Sequence, residues 1–344
     1  MDTQRRGAGA AADGGLPGLP IHERTAKPAH RRLVRLLPAL RVAFSCGLLV
    51  ALVLWLKPST LLAALSAPHP GWLALALALS LPQVALSAWR WRLTAQQLGV
   101  PLGFRTALAE YYLATLLNQL LPGGVMGDAN RAWRHARTTT GTAGRGTSAW
   151  HAVLIERVSG QFALLLVALL ALVTAPSLRA ALARVLDSDS SAAGSMTTFA
   201  MTTLIAALMA LTLGWLWWRR RPAVLASLTT ALRQALFARE VLLKQLLASL
   251  LIVVSYVAVY LCCLLMLGSA THPGEALPLI PWVLLAMALP LSIAGWGVRE
   301  GAAALLWSAA GLDPAQGVAI AIAYGVVVLL SSLPGALVLF RQRR

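Results

Sequence analysis

The chain has 344 residues, of which 58% are hydrophobic and only 12% charged, and its mean hydropathy is +0.71. A soluble globular domain carries roughly 25% charged residues, and here the apolar residues form runs long enough to cross a bilayer, so a soluble protein is excluded. The net charge of +17 is typical of Lys and Arg kept on the cytoplasmic face beside anionic lipid headgroups, and because no DNA- or RNA-binding motif accompanies it, no nucleic-acid partner is expected.

Residues 1–37 are predicted to form a disordered, basic cytoplasmic tail. They are rich in Gly, Ala and Pro, and Arg31, Arg32 and Arg35 lie close to the first apolar run. A signal peptide would place a short charged region directly before a short apolar one. Because a long polar tail comes first here, the first apolar run is predicted to be an uncleaved span. The rest of the chain, 38–344, is predicted to be one transmembrane domain.

Six apolar runs predict full crossings by α-helices, each near the ~20 residues that span the hydrocarbon layer. In chain order they are 38–56, 70–89, 154–175, 197–218, 246–268 and 317–340.

Two further apolar stretches are interrupted by polar residues and by Gly and Pro. Residues 104–121 contain Arg105, Glu110 and Asn118 and end in a Leu-Pro-Gly-Gly break, and residues 277–293 lead to a Gly-Val-Arg-Glu-Gly break at 297–301. Irregular backbone at membrane depth occurs only where protein buries it or where it lines a water-filled cavity. Both stretches are therefore predicted to be re-entrant helical hairpins.

The distribution of Lys and Arg predicts the topology. With the N-terminal tail, both long basic segments and the C-terminus in the cytoplasm, 25 of the 29 basic residues lie on one side; the four segments are 5–41, 90–157, 219–244 and 341–344. The halves 38–175 and 197–340 then form an inverted repeat whose hairpins enter from opposite faces, a recurring transporter plan. The alternative, eight full crossings, keeps both termini inside but moves Arg131, Arg134 and Arg137 outward.

The first motif that could bind a ligand follows the first hairpin stretch and contains Gly123, Gly124, Asp128 and Arg131. The glycines permit a sharp turn and Asp128 can cap the helix that follows. Arg131 lies one turn later on the same face and offers a planar, bidentate donor for phosphate near a helix start. The alternative is a cytoplasmic loop in which the Asp128–Arg131 pair is only structural.

A second motif has the same outline, with Gly297 followed by Arg299 and Glu300 at a predicted helix start. Charged residues beside a long apolar segment indicate a functional site. The alternative is a short external loop with one exposed ion pair.

A third motif contains Glu156 and Arg157, at the start of the predicted span 154–175. These side chains could line the same cavity as Asp128 and Arg131, or they could simply pair with each other while Arg157 reaches toward the interface. The three cysteines and six histidines lack metal-ligand spacing, so no metal and no cofactor are expected.

Two segments are predicted to lie at the membrane interface. Trp91, between Arg90 and Arg92, and the Trp217-Trp218 pair are interpreted as interfacial anchors. Residues 219–245 are interpreted as an interfacial amphipathic helix, with a solvated linker as the alternative.

Taken in order, these motifs resemble the flippase-like family related to the transmembrane region of lysylphosphatidylglycerol synthetases. The matching residues are Arg90-Trp91-Arg92, Leu121-Pro122-Gly123-Gly124-Val125 with Gly127-Asp128 and Arg131, Glu156-Arg157-Val158-Ser159-Gly160, and Gly297-Val298-Arg299-Glu300-Gly301. The resemblance covers about residues 35–344.

The resemblance implies a bacterial cytoplasmic-membrane protein that translocates phospholipid. On this hypothesis an anionic headgroup binds where the two hairpins meet, between the helix starts that carry Arg131 and Arg299. The alternative is a membrane subunit of an enzyme that transfers an aminoacyl or glycosyl group to lipid, with a soluble catalytic partner. Because the sequence ends four residues after its last predicted span, no lysyl transfer by this chain alone is expected.

Overall fold

The computed structural model describes residues 68–121, 124–139, 145–187, 222–236, 239–288, 292 and 294–341, with isolated residues between 46 and 54. Over these ranges the chain is helical and contains no strand, as the sequence predicts. The helices are α1 (Pro70–Gln97), α2 (Phe104–Leu120), α3 (Met126–Thr138), α4 (Arg145–Thr174), α5 (Pro176–Asp187), α6 (Pro222–Leu236), α7 (Arg239–Met266), α8 (Pro273–Ala276), α9 (Ile280–Ala286), α10 (Val298–Ala309), α11 (Pro314–Ser332) and α12 (Pro334–Arg341).

Four helical segments are long and apolar enough to cross a membrane: Pro70–Gln97, Gly146–Thr174, Val241–Met266 and Pro314–Leu339. They correspond to four of the six predicted crossings. The crossings predicted at 38–56 and 197–218, like the tail at 1–37, lie outside the described residues. The total number of crossings and the inverted repeat therefore stay predictions.

Two of these helices extend well past the predicted spans. Helix α1 continues to Gln97 and α4 begins at Arg145, although hydropathy falls off near 89 and 154. Two polar side chains of the α1 extension, Arg90 and Thr94, are buried against other helices and hydrogen-bonded there, which stabilises this part of the helix.

The interface between α1 and α7 has a polar seam along its length. Thr94 accepts a hydrogen bond from Gln245 at 2.6 Å, Arg90 donates to Ser249 at 2.7 Å, and Gln83 accepts from Ser255 at 3.2 Å. Between membrane helices there is little hydrophobic driving force, and such interhelical hydrogen bonds stabilise the pairing. The seam holds α1 and α7 together at the centre of the described bundle.

The first hairpin consists of α2 and α3, which pack against each other. Gly124 lies between them with φ +60°, in the left-handed region that favours glycine. Asn118 closes the turn, because its side chain accepts a hydrogen bond from the Gly127 amide at 2.8 Å and donates one to Asp128 at 2.9 Å. At 13 residues α3 is about 20 Å long, too short to cross a ~30 Å hydrocarbon layer.

The second hairpin runs from α8 and α9 to α10. The predicted apolar stretch 277–293 is divided, with α9 ending at Ala286 after only seven residues. Ala294, Gly295 and Gly297 follow with φ of 52°, 81° and 86°, so the backbone reverses sharply before α10 starts. Ala294 is the one non-glycine residue with positive φ among those the structure describes, which marks this turn as strained.

The tips of the two hairpins meet. A methyl group built on Gly124 would lie 3.9 Å from the backbone nitrogen of Ala294. The tips of the two broken stretches therefore lie next to each other, as the sequence hypothesis requires.

Replacing Gly127 with alanine is expected to destabilise the first hairpin. Its new methyl would overlap the backbone carbonyl of Ala114 on α2, which cannot move without displacing the helix. Overpacking of this kind costs about 1–3 kcal/mol, so the thermal unfolding midpoint in detergent, followed by tryptophan fluorescence, should fall. Gly146→Ala is the matched control: its methyl meets only the Ala136 side chain, at 4.0 Å, and its midpoint should not fall. Equal midpoints for the two variants would contradict the packing described here.

The segment 219–245 is not one interfacial helix, so that prediction is wrong. Helix α6 ends at Leu236, and Arg239 and Lys244 belong to the long helix α7. Leu228, Ala231 and Ala235 of α6 are buried with residues of α1 and α4. These three side chains are thus covered by protein.

Candidate functional site

Five charged side chains from three helices form one connected network, here called the first cluster. Its members are Arg90 on α1, Asp128 and Arg131 on α3, and Glu156 and Arg157 on α4.

Glu156 is the centre of the first cluster. Its carboxylate forms a short ion pair with Arg90, accepts a hydrogen bond from Arg131 at 2.7 Å, and lies 3.3 Å from the Tyr111 hydroxyl, which donates to it. The Arg90 guanidinium lies against the backbone of α4 where Gly160 leaves room, because a methyl there would stand 2.8 Å from Nη2. Glu156 is 1% exposed, so each partner matters to its stability.

Arg131 is held on several sides and has no exposed surface. Its Nε donates to Asp128 at 2.9 Å, and its carbon Cζ lies 4.7 Å from the Trp91 ring and 4.6 Å from the Tyr111 ring, within cation–π range. Its Nη1 has no hydrogen-bond partner among the residues the structure describes.

Arg157 lies at the edge of the first cluster, beside the junction of the hairpins. It pairs with Asp128 at 2.9 Å and donates to the carbonyl oxygen of Gly124 at 3.0 Å. With a side chain that is 39% exposed, it is far more accessible than Arg90 or Arg131. Of these three arginines, Arg157 therefore has by far the most accessible side chain.

A second cluster lies at the start of α10 in the other hairpin, and its members are Arg299 and Glu300. Glu300 accepts hydrogen bonds from Arg299 at 3.0 Å and 2.5 Å and from the Gly297 amide at 2.6 Å, so it also caps the helix. The Arg299 guanidinium lies 4.8 Å from the Trp296 ring and 5.7 Å from the Tyr324 ring. Both charged side chains are fully buried.

The two clusters are constructed alike. In each, an arginine in the first turns of a helix after a glycine turn is buried, paired with carboxylate and placed beside two aromatic rings, and in each Nη1 has no described partner. A glycine on the facing helix makes room in each case, Gly160 for Arg90 and Gly325 for Arg299. The halves therefore share a chemical plan as well as a sequence outline.

One protein family matches this chain over residues 39–335, the family described as the lysylphosphatidylglycerol synthase TM region. The chain belongs to this family. No curated protein and no solved structure matches it. Family membership and the four apolar helices together establish a multi-pass membrane protein of a lipid-related family.

The structure differs from the sequence-based prediction of the site in several details. Asp128 is not the helix cap, because Val125 occupies that position and Asp128 lies in the first turn. Glu156 does not pair with Arg157; it pairs with Arg90 and Arg131. The reading of Arg299–Glu300 as an exposed ion pair is wrong, since both are buried. Gly123 lies outside the described residues, whereas Gly124 lies at the tip and Gly297 at the start of α10.

The interpretation of Trp91 as an interfacial anchor is also wrong. Trp91 has no exposed surface, and Arg90, its neighbour, is a member of the first cluster. Sequence reasoning missed Arg90, Tyr111 and Asn118 as site residues. Asn118 was visible as a polar residue inside an apolar stretch, which is a signal for an internal partner.

Sequence reasoning also missed the tyrosines. Tyr256 and Tyr260 lie in the middle of α7, and Tyr324 lies in the middle of α11. Tyrosine in membrane helices is enriched at the two interfaces. A mid-helix position was therefore a usable signal for a polar partner within the bilayer.

Proposed function

We propose that this chain is a lipid transporter that moves a phospholipid or lipid-linked anionic headgroup across the membrane through the junction of its two hairpins. The observation that carries the proposal is the meeting of the hairpin tips, with a buried arginine cluster behind each tip. The family supports the lipid class of the substrate. Gly123, Gly124, Asp128, Arg131, Glu156, Arg157, Gly297, Arg299 and Glu300 would form or support the binding site.

Charge supports an anionic ligand. The first cluster contains three guanidiniums and two carboxylates, a net charge of +1, whereas the second cluster is neutral. Removal of charge from water is costly, so a buried network with an excess cation favours a compensating anion. A phosphodiester carries one negative charge and oxygens that match a guanidinium fork.

The arginines of the two clusters would have different roles in transport. Arg131 and Arg90 are enclosed and bonded to Glu156, so in this conformation they set the field and shape of the site. Arg157 is accessible and lies at the tip, so it would make the first contact with the headgroup phosphate. Movement of the headgroup toward Arg299 would follow from opening of the junction, consistent with sites at the interface of two repeats.

Replacing Arg157 by glutamine is expected to slow lipid translocation about tenfold or more, because a hydrogen bond to a charged group contributes about 1.5–3 kcal/mol. The measurement uses purified protein in liposomes with a fluorescent headgroup-labelled phosphatidylglycerol and a membrane-impermeant quencher. Arg134→Gln is the matched control, since Arg134 on the neighbouring helix α3 has a similar exposure of 31% but pairs with Glu110 at 2.7 Å instead. Its rate should stay near that of the unaltered protein.

Two outcomes would contradict the proposal. If the unaltered protein translocates no faster than empty liposomes, transport by this chain is wrong. If the unaltered protein translocates lipid and Arg157→Gln does so equally well, transport stands and the assignment of Arg157 fails.

The alternative, a membrane subunit of a lipid-modifying enzyme, is supported by the family description, which names a synthase. It requires a soluble catalytic partner that transfers an aminoacyl or glycosyl group to lipid. Deletion of the gene would then change the lipid composition of the cell, as mass spectrometry of lipid extracts would show. Unchanged composition together with lost translocation would rule out the enzymatic role.

For orientation, we propose the bacterial cytoplasmic membrane with both termini inside. Support comes from the placement of Lys and Arg and from the first cluster, in which α1, α3 and α4 bring their basic and acidic residues to one level. A cysteine added after Arg344, in a chain whose native cysteines are serine, tests the assignment. Labelling by an impermeant maleimide in intact cells would overturn it.

A further inference from the structure

Three buried hydrogen-bond donors beside the second cluster have no acceptor among the described residues: the hydroxyls of Tyr260 and Tyr324, and Nη1 of Arg299. All three side chains are at most 1% exposed. The Tyr260 and Tyr324 rings lie 5.2 Å apart, and the Arg299 guanidinium lies 5.7 Å from the Tyr324 ring. The donors therefore share one small region between α7, α10 and α11.

Such an arrangement is unfavourable when nothing accepts the hydrogen bonds. A buried donor left without an acceptor costs about 1–3 kcal/mol, more when it is charged, and buried tyrosine hydroxyls ordinarily find a partner. Three such donors in one place point to an acceptor that the described part of the chain does not provide. An oxygen-rich anion fits this region, because its oxygens can accept a hydrogen bond from each of the three donors.

Tyr256 links this region to the first cluster. It lies one turn before Tyr260 on the same face of α7 and is only partly buried. Ser249, which accepts a hydrogen bond from Arg90, lies two turns before Tyr256 on that same face of α7. Tyr256, Tyr260 and Tyr324, here called the tyrosine ladder, thus extend from the face of α7 that contacts Arg90 to the region of Arg299.

We propose that the tyrosine ladder is a phosphate-binding track, whose hydroxyls donate hydrogen bonds to the phosphate oxygens of a lipid headgroup between its release from Arg157 and its binding at Arg299. The inference rests on the proposed transport function and adds to it the residues that hold the headgroup part-way. Hydroxyls suit this task because they bind phosphate without adding net charge, so the headgroup is stabilised but not trapped. No covalent step is involved.

The test compares Tyr260→Phe, Tyr324→Phe and the double variant of the full chain with Tyr112→Phe. Tyr112 is the matched control, because it is a partly buried tyrosine on α2 that belongs neither to the two clusters nor to the tyrosine ladder. Binding of dihexanoylphosphatidylglycerol in detergent is measured by the rise in thermal unfolding midpoint, with inorganic phosphate as a parallel probe. Each lost hydroxyl should weaken binding of the short-chain lipid about tenfold, and the control should bind as the unaltered protein does.

The probes distinguish two sources of the same chemistry. Tighter binding of the short-chain lipid than of inorganic phosphate, with both weakened in the double variant, supports a track for lipid headgroups. If inorganic phosphate binds as well as the lipid, the region is a site for free phosphate and the track is overturned.

The same variants also separate a functional role from a structural one. Removal of a buried hydroxyl that has no partner among the residues the structure describes should leave the unfolding midpoint without ligand unchanged or slightly higher. A fall of several degrees would show that the hydroxyls serve the fold, and would overturn the proposal. In liposomes, failure of the unaltered protein to translocate lipid refutes the proposed function, whereas normal translocation by the double variant refutes the ladder alone.

Discussion

Replacing Glu156 by glutamine is expected to lower the free energy of unfolding by about 3–5 kcal/mol, because it leaves two buried guanidiniums without their shared counter-charge. Glu156 is the contact through which Arg90 on α1 and Arg131 on α3 are joined to α4. Glutamine keeps the volume and one acceptor oxygen, so the loss measures charge and not packing. Thermal and denaturant unfolding in detergent, followed by tryptophan fluorescence, provide the measurement.

The matched control is Glu275→Gln. Glu275 is an exposed carboxylate that accepts a hydrogen bond from the His272 amide at 3.1 Å as part of a capping box, a role that glutamine also performs. Its effect should stay within about 0.5 kcal/mol. Similar losses for the two variants would mean that Glu156 contributes no more than a surface carboxylate, and the first cluster would not be the centre of the fold described here.

The sequence predicted the membrane class and the two broken stretches because both depend on local properties. Hydropathy over a window identifies a span, and the Gly and Pro breaks identify the turns that the structure places at Gly124 and at 294–297. The spacing of Asp128 and Arg131 predicted a pair on one helix face, and the structure forms that pair at 2.8 Å.

What the sequence could not provide was the pairing of distant side chains. Arg90 was placed in the cytoplasmic basic segment 90–157, next to Trp91, which was interpreted as an interfacial anchor. Its actual partners, Glu156 and Ser249, lie 66 and 159 residues away along the chain. For the same reason, window hydropathy predicted the end of the span in α1 too early. It treats Arg90 as exposed to lipid, although other helices cover this side chain.

Glycines illustrate the same limit. Gly124 and Gly297 could be recognised as turn residues from their motifs. Gly160 was noted only as the last residue of a motif shared with the family, and Gly325 was not singled out at all. Each in fact faces an arginine guanidinium of another helix, which a methyl group would displace. Glycine is required at these positions because of tertiary packing. That requirement can be recognised only when the position of the arginine side chain is known.

The Arg299–Glu300 pair permits a sharper separation of folding from transport than any single substitution. Glu300→Gln alone leaves Arg299 buried without its counter-charge and is expected to destabilise by about 3–5 kcal/mol. In the double variant Arg299→Met with Glu300→Gln, neither position carries a charge. Glutamine still accepts the Gly297 amide, and methionine fills the space beside Trp296 and Tyr324. Most of the lost stability should therefore return, since a buried ion pair can often be replaced by apolar groups without loss.

Lipid translocation, unlike stability, should not recover in the double variant. The double variant folds but has no cation at the second tip, so its translocation in liposomes should fall at least tenfold, as expected for loss of a charge-assisted hydrogen bond to phosphate. Arg134→Met with Glu110→Gln is the matched control, because that pair lies on the first hairpin with exposures of 31% and 11% and is outside both clusters. Restored stability with undiminished translocation would assign Arg299 and Glu300 to the fold alone. Restored stability with lost translocation would place the headgroup's path at the second hairpin, where the two tips meet.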